Sequence, residues 1–290
     1  MITRRMVLAM IGGPFTAQPQ QKGKVYRIGY LSQLPPADRS SSLGQLRKGL
    51  HDVGYVEGQN VVVEDLWAAG KIDRLPALAR ELVRRQVDLI VTPGTPQSLA
   101  AKRATSAIPI VMVAVGDPIG NGLVASLARP GGNVTGATRP RGPGGRRRFS
   151  IVGSQLVGKQ LEPLKEVVLK LTRVVVLRNP ANPMHALVGR EADVVAQALR
   201  VEIQIVETRS SDDFDHAFAA MTREHAGGLL VPADSVFQLH RNRLADLAIH
   251  SRLPTMFAQR EFVEAGGLIA YSPDVADLFQ RAAIYVDKIL

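Results

Sequence analysis

Six short segments carry the residue types from which a binding site could be assembled. They are Ser32-Gln33, Gly94-Thr95-Pro96, Gly116-Asp117-Pro118, Asn179-Pro180-Ala181-Asn182-Pro183, Pro232-Ala233-Asp234-Ser235 and Tyr271-Ser272-Pro273-Asp274. Each follows a short apolar run, where the strands of an open α/β sheet deliver ligands to the amides of the next helix. Gly94-Thr95-Pro96 says the most. Glycine lets backbone approach a ligand, threonine has a hydroxyl to offer, and proline suits the first turn of a helix. The combination suits a carboxylate or another anion, although Thr95 capping its own helix is an equally local use of the same residue. Asp117 and Asp234 could receive an ammonium group or hydroxyls. Each also sits among turn formers, and for either alone the turn reading is the stronger. Asn182 carries the same two readings.

Covalent chemistry has no comparable footing. No GxGxxG follows the first apolar run, where Gly29-Tyr30-Leu31-Ser32-Gln33 stands instead, and there is no GxxxxGK[ST] and no GxSxG. The six histidines form no HExxH pair, so a resident metal is not expected. With no cysteine in the chain, thiolate metal sites, cysteine nucleophiles, disulfide scaffolds and a lipoprotein anchor are all argued against. The residues favour binding without reaction and without a cofactor.

The elements that must position these segments alternate regularly. Tyr26–Leu31 reads as a strand, followed by a helix with Leu43, Leu46, Leu50 and Val53 inward and Gly54 at its end. Val61–Val63 is a second strand. Asp73 is expected to cap a helix burying Leu75, Leu78, Leu82 and Val83, with Pro76 in its first turn. Val87–Val91 and Ile110–Val113 are runs of the kind buried on both faces of a parallel sheet. The lone Trp67 follows a strand in an apolar setting and reads as packing.

RPRGPGGRRR at 139–148 interrupts the alternation and marks a boundary between lobes. Beyond it the spacing predicts a helix over about 158–169, a strand at Val174–Leu177 and a helix over 186–199. Val201, Ile203 and Ile205 alternate as a strand. Ser211 or Asp212 then caps a helix burying Phe214, Phe218 and Met221. Leu229–Val231 is a further strand, and one helix runs through Leu239, Leu244 and Leu247. A final helix opened by Asp274 carries Val275, Leu278, Phe279, Ala282, Val286 and Ile289 and should dock back on the first lobe. The predicted class is α/β, with two lobes of about five parallel strands each, flanked by helices. The 290 residues, 46% of them apolar, suffice for both.

Charge and hydropathy narrow the partners. Of the net +10, four charges lie in residues 1–24 (Arg4, Arg5, Lys22, Lys24) and five in 139–148 (Arg139, Arg141, Arg146, Arg147, Arg148), so the body is nearly neutral. A nucleic-acid binder spreads basic residues over a folded face, so that partner is not expected. No run approaches the roughly 20 apolar residues of a spanning helix, so membrane insertion is not expected either. Arg4-Arg5 followed by the apolar stretch Met6–Gly13 reads as an export signal, which would place the mature chain in the periplasm. A frayed cytoplasmic N-terminus is the alternative.

Several motifs occur in order along the chain: GYVEGQN at 54–60, GTP at 94–96, VAVGDP at 113–118, LARPGGNVTG at 127–136, NPANP at 179–183, REFVEAGG at 260–267 and YVDKIL at 285–290. Together they resemble the ABC-transporter substrate-binding protein family, in its tryptophan-binding-like branch. The resemblance covers about residues 25–290. It implies the two-lobed type I periplasmic-binding-protein fold, lobe 1 at 25–139, lobe 2 at 140–257, and a return to lobe 1 at 258–290 after a leader at 1–24. It also implies a cleft faced by Ser32, Gly94, Thr95, Pro96 and Asp117 from the first lobe and by Asn182 and Asp234 from the second, with Tyr271 near the hinge. Against the family pattern, the loop at 139–154 is longer and more basic. A tail expected to add a strand and a last hinge crossing would follow Leu290.

The implied function is a non-enzymatic solute receptor of an ABC importer, closing on a small zwitterion such as an aromatic or branched amino acid and presenting it to permease subunits. A sugar would call for stacking faces, and aromatic residues make up only 5% of the chain. A cytoplasmic small-molecule sensor of the same fold, or a truncated, weakly binding member of the family, is the alternative.

Overall fold

The computed structural model describes residues 24–34, 42–126, 129–136, 154–272 and 275–290. Residues 1–23 of the leader, the basic loop at 139–148 and the expected cap Asp274 lie outside the described residues. The first lobe runs β1 (Tyr26–Ser32), α1 (Ser42–Asp52), β2 (Val61–Trp67), α2 (Leu75–Arg84), β3 (Leu89–Pro93), α3 (Thr95–Ala104), β4 (Ile110–Val113) and β5 (Val134–Gly136). The second runs α4 (Ser154–Val167), β6 (Arg173–Arg178), α5 (Pro183–Leu199), β7 (Glu202–Glu207), α6 (Phe214–Arg223), β8 (Gly228–Val231), α7 (Ser235–Leu239), α8 (Arg241–His250), β9 (Thr255–Phe257), α9 (Glu261–Glu264) and β10 (Ile269–Ala270). The last helix is α10 (Val275–Asp287).

Both sheets are parallel and five-stranded, in the orders β2-β1-β3-β4-β5 and β10-β9-β8-β6-β7. The apolar runs serve two cores at once, because successive side chains of a strand point to opposite faces. Ile28, Leu89, Val91, Val111 and Val113 enter one core of the first lobe, while Leu31, Ile90, Ile110 and Met112 enter the other. In the second lobe Val175, Leu177, Leu229 and Val231 face one side, and Val174, Val176 and Leu230 the other. This double burial is why the strands are nearly continuous Val/Ile/Leu. The expected α/β class and two-lobed architecture are observed.

Helix α10 carries the chain back to the first lobe. Its Leu278, Phe279, Ala282, Ala283 and Val286 join the core formed by Leu43, Leu46 and Leu50 of α1. A Cβ on Gly49 would lie within 2.5 Å of the Gln280 carbonyl oxygen, so only glycine permits this approach of the two helices.

Several expectations are corrected. The return does not begin at 258. Ile269 and Ala270 pair with Met256 and Phe257, so the chain stays with the second sheet through β10 and crosses only afterwards. Asp73 does not cap α2. It sits in a 3-10 turn (Ile72–Arg74) that runs into the helix, whose first residue Leu75 donates its N–H to the Ile72 carbonyl. The cap ahead of α6 is neither Ser211 nor Asp212 but Ser210, whose hydroxyl accepts from the Asp212 N–H while the Asp213 carboxylate takes the Ser210 N–H in return. The stretch through Leu239 and Leu247 is two helices broken at His240. Helices α4 and α5 begin earlier than spacing implied, α5 because Asn182 caps it and Pro183 fits its first position. Trp67 ends β2 and packs on Tyr30 with ring centroids 5.5 Å apart, as a packing residue should.

A candidate ligand cleft between the lobes

The carboxyl ends of both sheets face a cavity of about 200 Å³. That is more than ten times the roughly 10–15 Å³ that one water needs, room enough for a small molecule. Ser32, Gly94, Thr95 and Pro96 line it from the first lobe, and Asn182 and Asp234 from the second. Tyr30, Leu156, Val157, Met184, Val188 and Phe279 give it an apolar wall.

The first-lobe side is built on Gly94. Its φ of +86° is a conformation side chains resist. A Cβ there would also crowd Gln97 Oε1 at 3.2 Å. In this conformation the Gly94 N–H donates to the Val113 carbonyl at 2.8 Å, and its own carbonyl accepts from the Ser98 hydroxyl at 2.8 Å. Ser98 is bonded in turn to the Thr92 hydroxyl, so the start of α3 is fastened to β3 and β4. Gly94 is the N-cap and Thr95 the first helical residue. The Thr95 hydroxyl therefore does not cap the helix. It is buried without a partner, and so is Gln97 Oε1. With the N–H groups of the first turn and the positive end of the helix dipole, this is a polar surface short of partners.

The second-lobe side is the reverse. Asp234 Oδ1 accepts from the Val236 N–H at 2.8 Å, capping α7, and from Asn179 Nδ2 at 3.2 Å. Asp234 Oδ2 accepts from Asn182 Nδ2 at 2.9 Å. Asn182 in turn caps α5 by accepting from the Met184 N–H at 3.1 Å. Behind them His185 is almost wholly buried. Its Nδ1 accepts from the Asn179 N–H at 2.8 Å, which leaves the proton on Nε2, facing the Ala233 carbonyl at 3.3 Å and Asp234 Oδ2 at 3.7 Å. Burial pushes the His185 pKa below its ordinary 6.5. The Asp234 charge and the Ala233 carbonyl oppose that shift, and Arg178 adds to it.

Two expected site residues are not at the cleft. Asp117 has φ +38°, and its carboxylate accepts from the Gly120 N–H at 2.9 Å, closing a turn. Ala114 is the last residue of this stretch on the cavity lining, and the geometry at Asp117 is that of a turn former. Tyr271 is a third exposed. Its N–H donates to the Phe257 carbonyl, its carbonyl accepts from Gln160 Nε2, and its ring faces the Lys159 ammonium at 5.9 Å from the centroid. Asp234 is the one carboxylate on the described lining, which holds no lysine or arginine. Gln97 and Gln259 also line the cavity, with His185 behind Asp234; nothing in their sequence neighbourhood signals this, and Gln33 is singled out there only by its place after the first strand. Among the described residues no group of metal-ligating side chains occurs, and no helix is long and apolar enough to cross a membrane.

Residues 37–290 match the family model of the ABC transporter substrate binding proteins. The chain belongs to this family. The "Tyrosine-binding protein" of Clostridioides difficile (strain R20291) is 25% identical over 270 residues, 93% of this chain and 73% of that protein. Among solved structures, the ABC domain from Streptococcus pneumonia in complex with L-Trp is 22% identical with a TM-score of 0.81, over 92% of this chain and 85% of that one. A ligand-free, open substrate binding protein with adhesive properties from Clostridium difficile is 23% identical with a TM-score of 0.62, over 91% and 85%. The fold is that of the type I periplasmic binding proteins.

Proposed function

We propose that this substrate-binding protein receives an amino acid with an aromatic side chain in the cleft, without converting it, and presents it to the permease of an ABC importer in the periplasm. The observation that carries the reading is the asymmetry of polar groups across the cavity. Amides, the Thr95 hydroxyl and the dipole end of α3 suit a ligand carboxylate on one side, and the Asp234 carboxylate suits an ammonium on the other. The wall of Tyr30, Phe279, Leu156, Val157, Met184 and Val188 suits an apolar side chain. The similarity to a protein named for tyrosine and to a complex with L-Trp supports the same class. Closure follows from contacts to both lobes, because a ligand shifts a conformational equilibrium only by its differential affinity for the two states.

The test is calorimetry on protein freed of carried-over ligand, with the amino acids, a sugar and a nucleoside as the panel. L-Tyrosine or L-tryptophan should bind most tightly. Tight binding of the sugar or nucleoside with no amino acid bound would reject the reading.

A further inference from the structure

Gln33 is hydrogen-bonded across the cleft from the first lobe to the second. Its backbone is fixed just beyond β1: the Gly70 N–H donates to the Gln33 carbonyl at 2.6 Å, and the flanking Leu34 N–H donates to the Ser32 hydroxyl at 3.2 Å. Its side chain, 3% exposed, reaches the other lobe, where the Ser235 hydroxyl donates to Gln33 Oε1 at 3.3 Å. The residue lines the cavity, and its remaining polar atom, Nε2, is buried without a partner. Beside it the lobes are close, since a Cβ added at Gly70 would lie 3.3 Å from Leu239 of α7.

We infer that Gln33 couples occupancy of the cleft to closure, with one end of its amide serving the ligand and the other the facing lobe. In an open, empty cleft both ends of the amide are hydrated. Closing over nothing buries Nε2 without an acceptor, which opposes closure. A ligand oxygen, such as one of a carboxylate, accepts from Nε2 and removes that opposition, so the Ser235 contact forms at no cost to the other end. The argument survives an exchange of the amide O and N, because a hydroxyl serves either as donor or as acceptor. One end still meets Ser235, and the other is still left to the ligand. Gln33 is thus a positioning residue for closure as well as a contact.

The inference takes its probes from the amino-acid reading above, and its experiment separates the two. The wild type, Gln33→Met, Ser235→Ala and the double variant are titrated with L-tyrosine and L-tryptophan. The separation of the lobes is followed in parallel by spin labels at Arg103→Cys and Arg190→Cys, two exposed positions in a chain otherwise free of cysteine. Methionine keeps the length of glutamine without its polar atoms, and thermal melting confirms that each variant folds. Gln33→Met should weaken binding about ten- to a hundredfold, and Ser235→Ala by less. The double variant should bind within about twofold of Gln33→Met, because one substitution has already removed what the other would. Losses that multiply, or unchanged affinity in Gln33→Met, overturn the inference. If the wild type binds neither amino acid, the amino-acid reading fails and the role of Gln33 is decided on ligand-free protein. There Gln33→Met should show shorter label distances than wild type, since closing no longer strands a donor. An identical distance distribution overturns it.

Discussion

The two walls of the cleft are made of similar residues used in opposite ways. On the second-lobe wall the Asp234 cluster is already engaged: Asp234 accepts from Val236, Asn179 and Asn182, His185 backs it, and of the groups named there Gln259 Oε1 alone is buried without a partner. On the first-lobe wall Gln33 Nε2, Thr95 Oγ1 and Gln97 Oε1 are buried without partners. Buried polar atoms are normally satisfied, so three orphans on one wall describe a surface awaiting something. The Asp234 cluster is therefore a finished structural unit that presents a fixed carboxylate, and the first-lobe wall is the one with most left to offer a ligand. Substitutions on the second-lobe wall should cost folding first and binding second. On the first-lobe wall they should cost binding alone.

The largest effect expected is that of Asp234→Ala. It removes the α7 cap and leaves Asn179, Asn182 and the Val236 N–H short of an acceptor. With each buried unsatisfied group costing about 1–3 kcal/mol and a lost cap about 1, the fold should lose about 3 kcal/mol or more. Urea unfolding measures this as a lowered midpoint with unchanged slope. A midpoint within error of wild type would break the contrast between the walls.

Thr95→Ala is the matching test on the other wall. Its hydroxyl makes no bond within the protein, so the unfolding midpoint should hold or rise slightly. Affinity for the amino acid should fall about tenfold by calorimetry, the equivalent of one hydrogen bond to a charged group. Destabilisation equal to that of Asp234→Ala would show that the threonine is structural after all.

Acid sharpens the comparison because a histidine whose pKa is lowered by burial, His185, sits behind the second-lobe wall. The folded state holds His185 neutral, below its ordinary 6.5. As pH falls under about 6.5 the unfolded chain takes up a proton at this residue that the folded chain refuses, so stability present above that pH is lost below it. The loss is bounded by about 1.4 kcal/mol per pH unit. The groups facing the ring are Asp234 and, further off, Arg178. Of these only the aspartate favours protonation. Thermal melting of wild type and His185→Gln between pH 7.5 and 5 should show a shallower acid dependence in the variant. Parallel curves would remove His185 from the account.

The contrast also explains what could be read from residues alone. The alternation of short Val/Ile/Leu runs with amphipathic stretches gave away both sheets, because strands buried on two faces leave little room for other residues. Gly94-Thr95-Pro96, Asn182 and Asp234 were locatable because a strand must hand over to a helix there, and capping chemistry is local. The glutamines were not. Gln97 lies inside α3 and Gln259 in a turn after β9, and nothing in their neighbours distinguishes an amide pointing into a cavity from one in solvent. Strand β10 is two residues long, Ile269 and Ala270, too short to register as a run. That is why the return to the first lobe was placed too early. Asp117 misled for the opposite reason. An aspartate flanked by Gly116 and Pro118 is a good turn former and a plausible ligand group, and only the course of the chain after Ala114 separates the two uses.

Asp117→Asn therefore supplies the smallest expected effect. The carboxylate accepts one N–H, from Gly120, across a turn whose tight geometry leaves no room for a side chain at 120. Asparagine retains an acceptor oxygen at the same place and tolerates the positive φ nearly as well as aspartate. Stability should change by no more than about 0.5 kcal/mol, in the range of ordinary surface substitutions. Affinity for L-tyrosine or L-tryptophan should stay within about twofold of wild type, since the side chain faces its own turn and the cleft ends at Ala114. The measurement is the same calorimetric titration used for Thr95→Ala. A tenfold loss would mean that the first-lobe wall extends past Ala114 when ligand is present, and that a carboxylate lies on each side of the cleft after all.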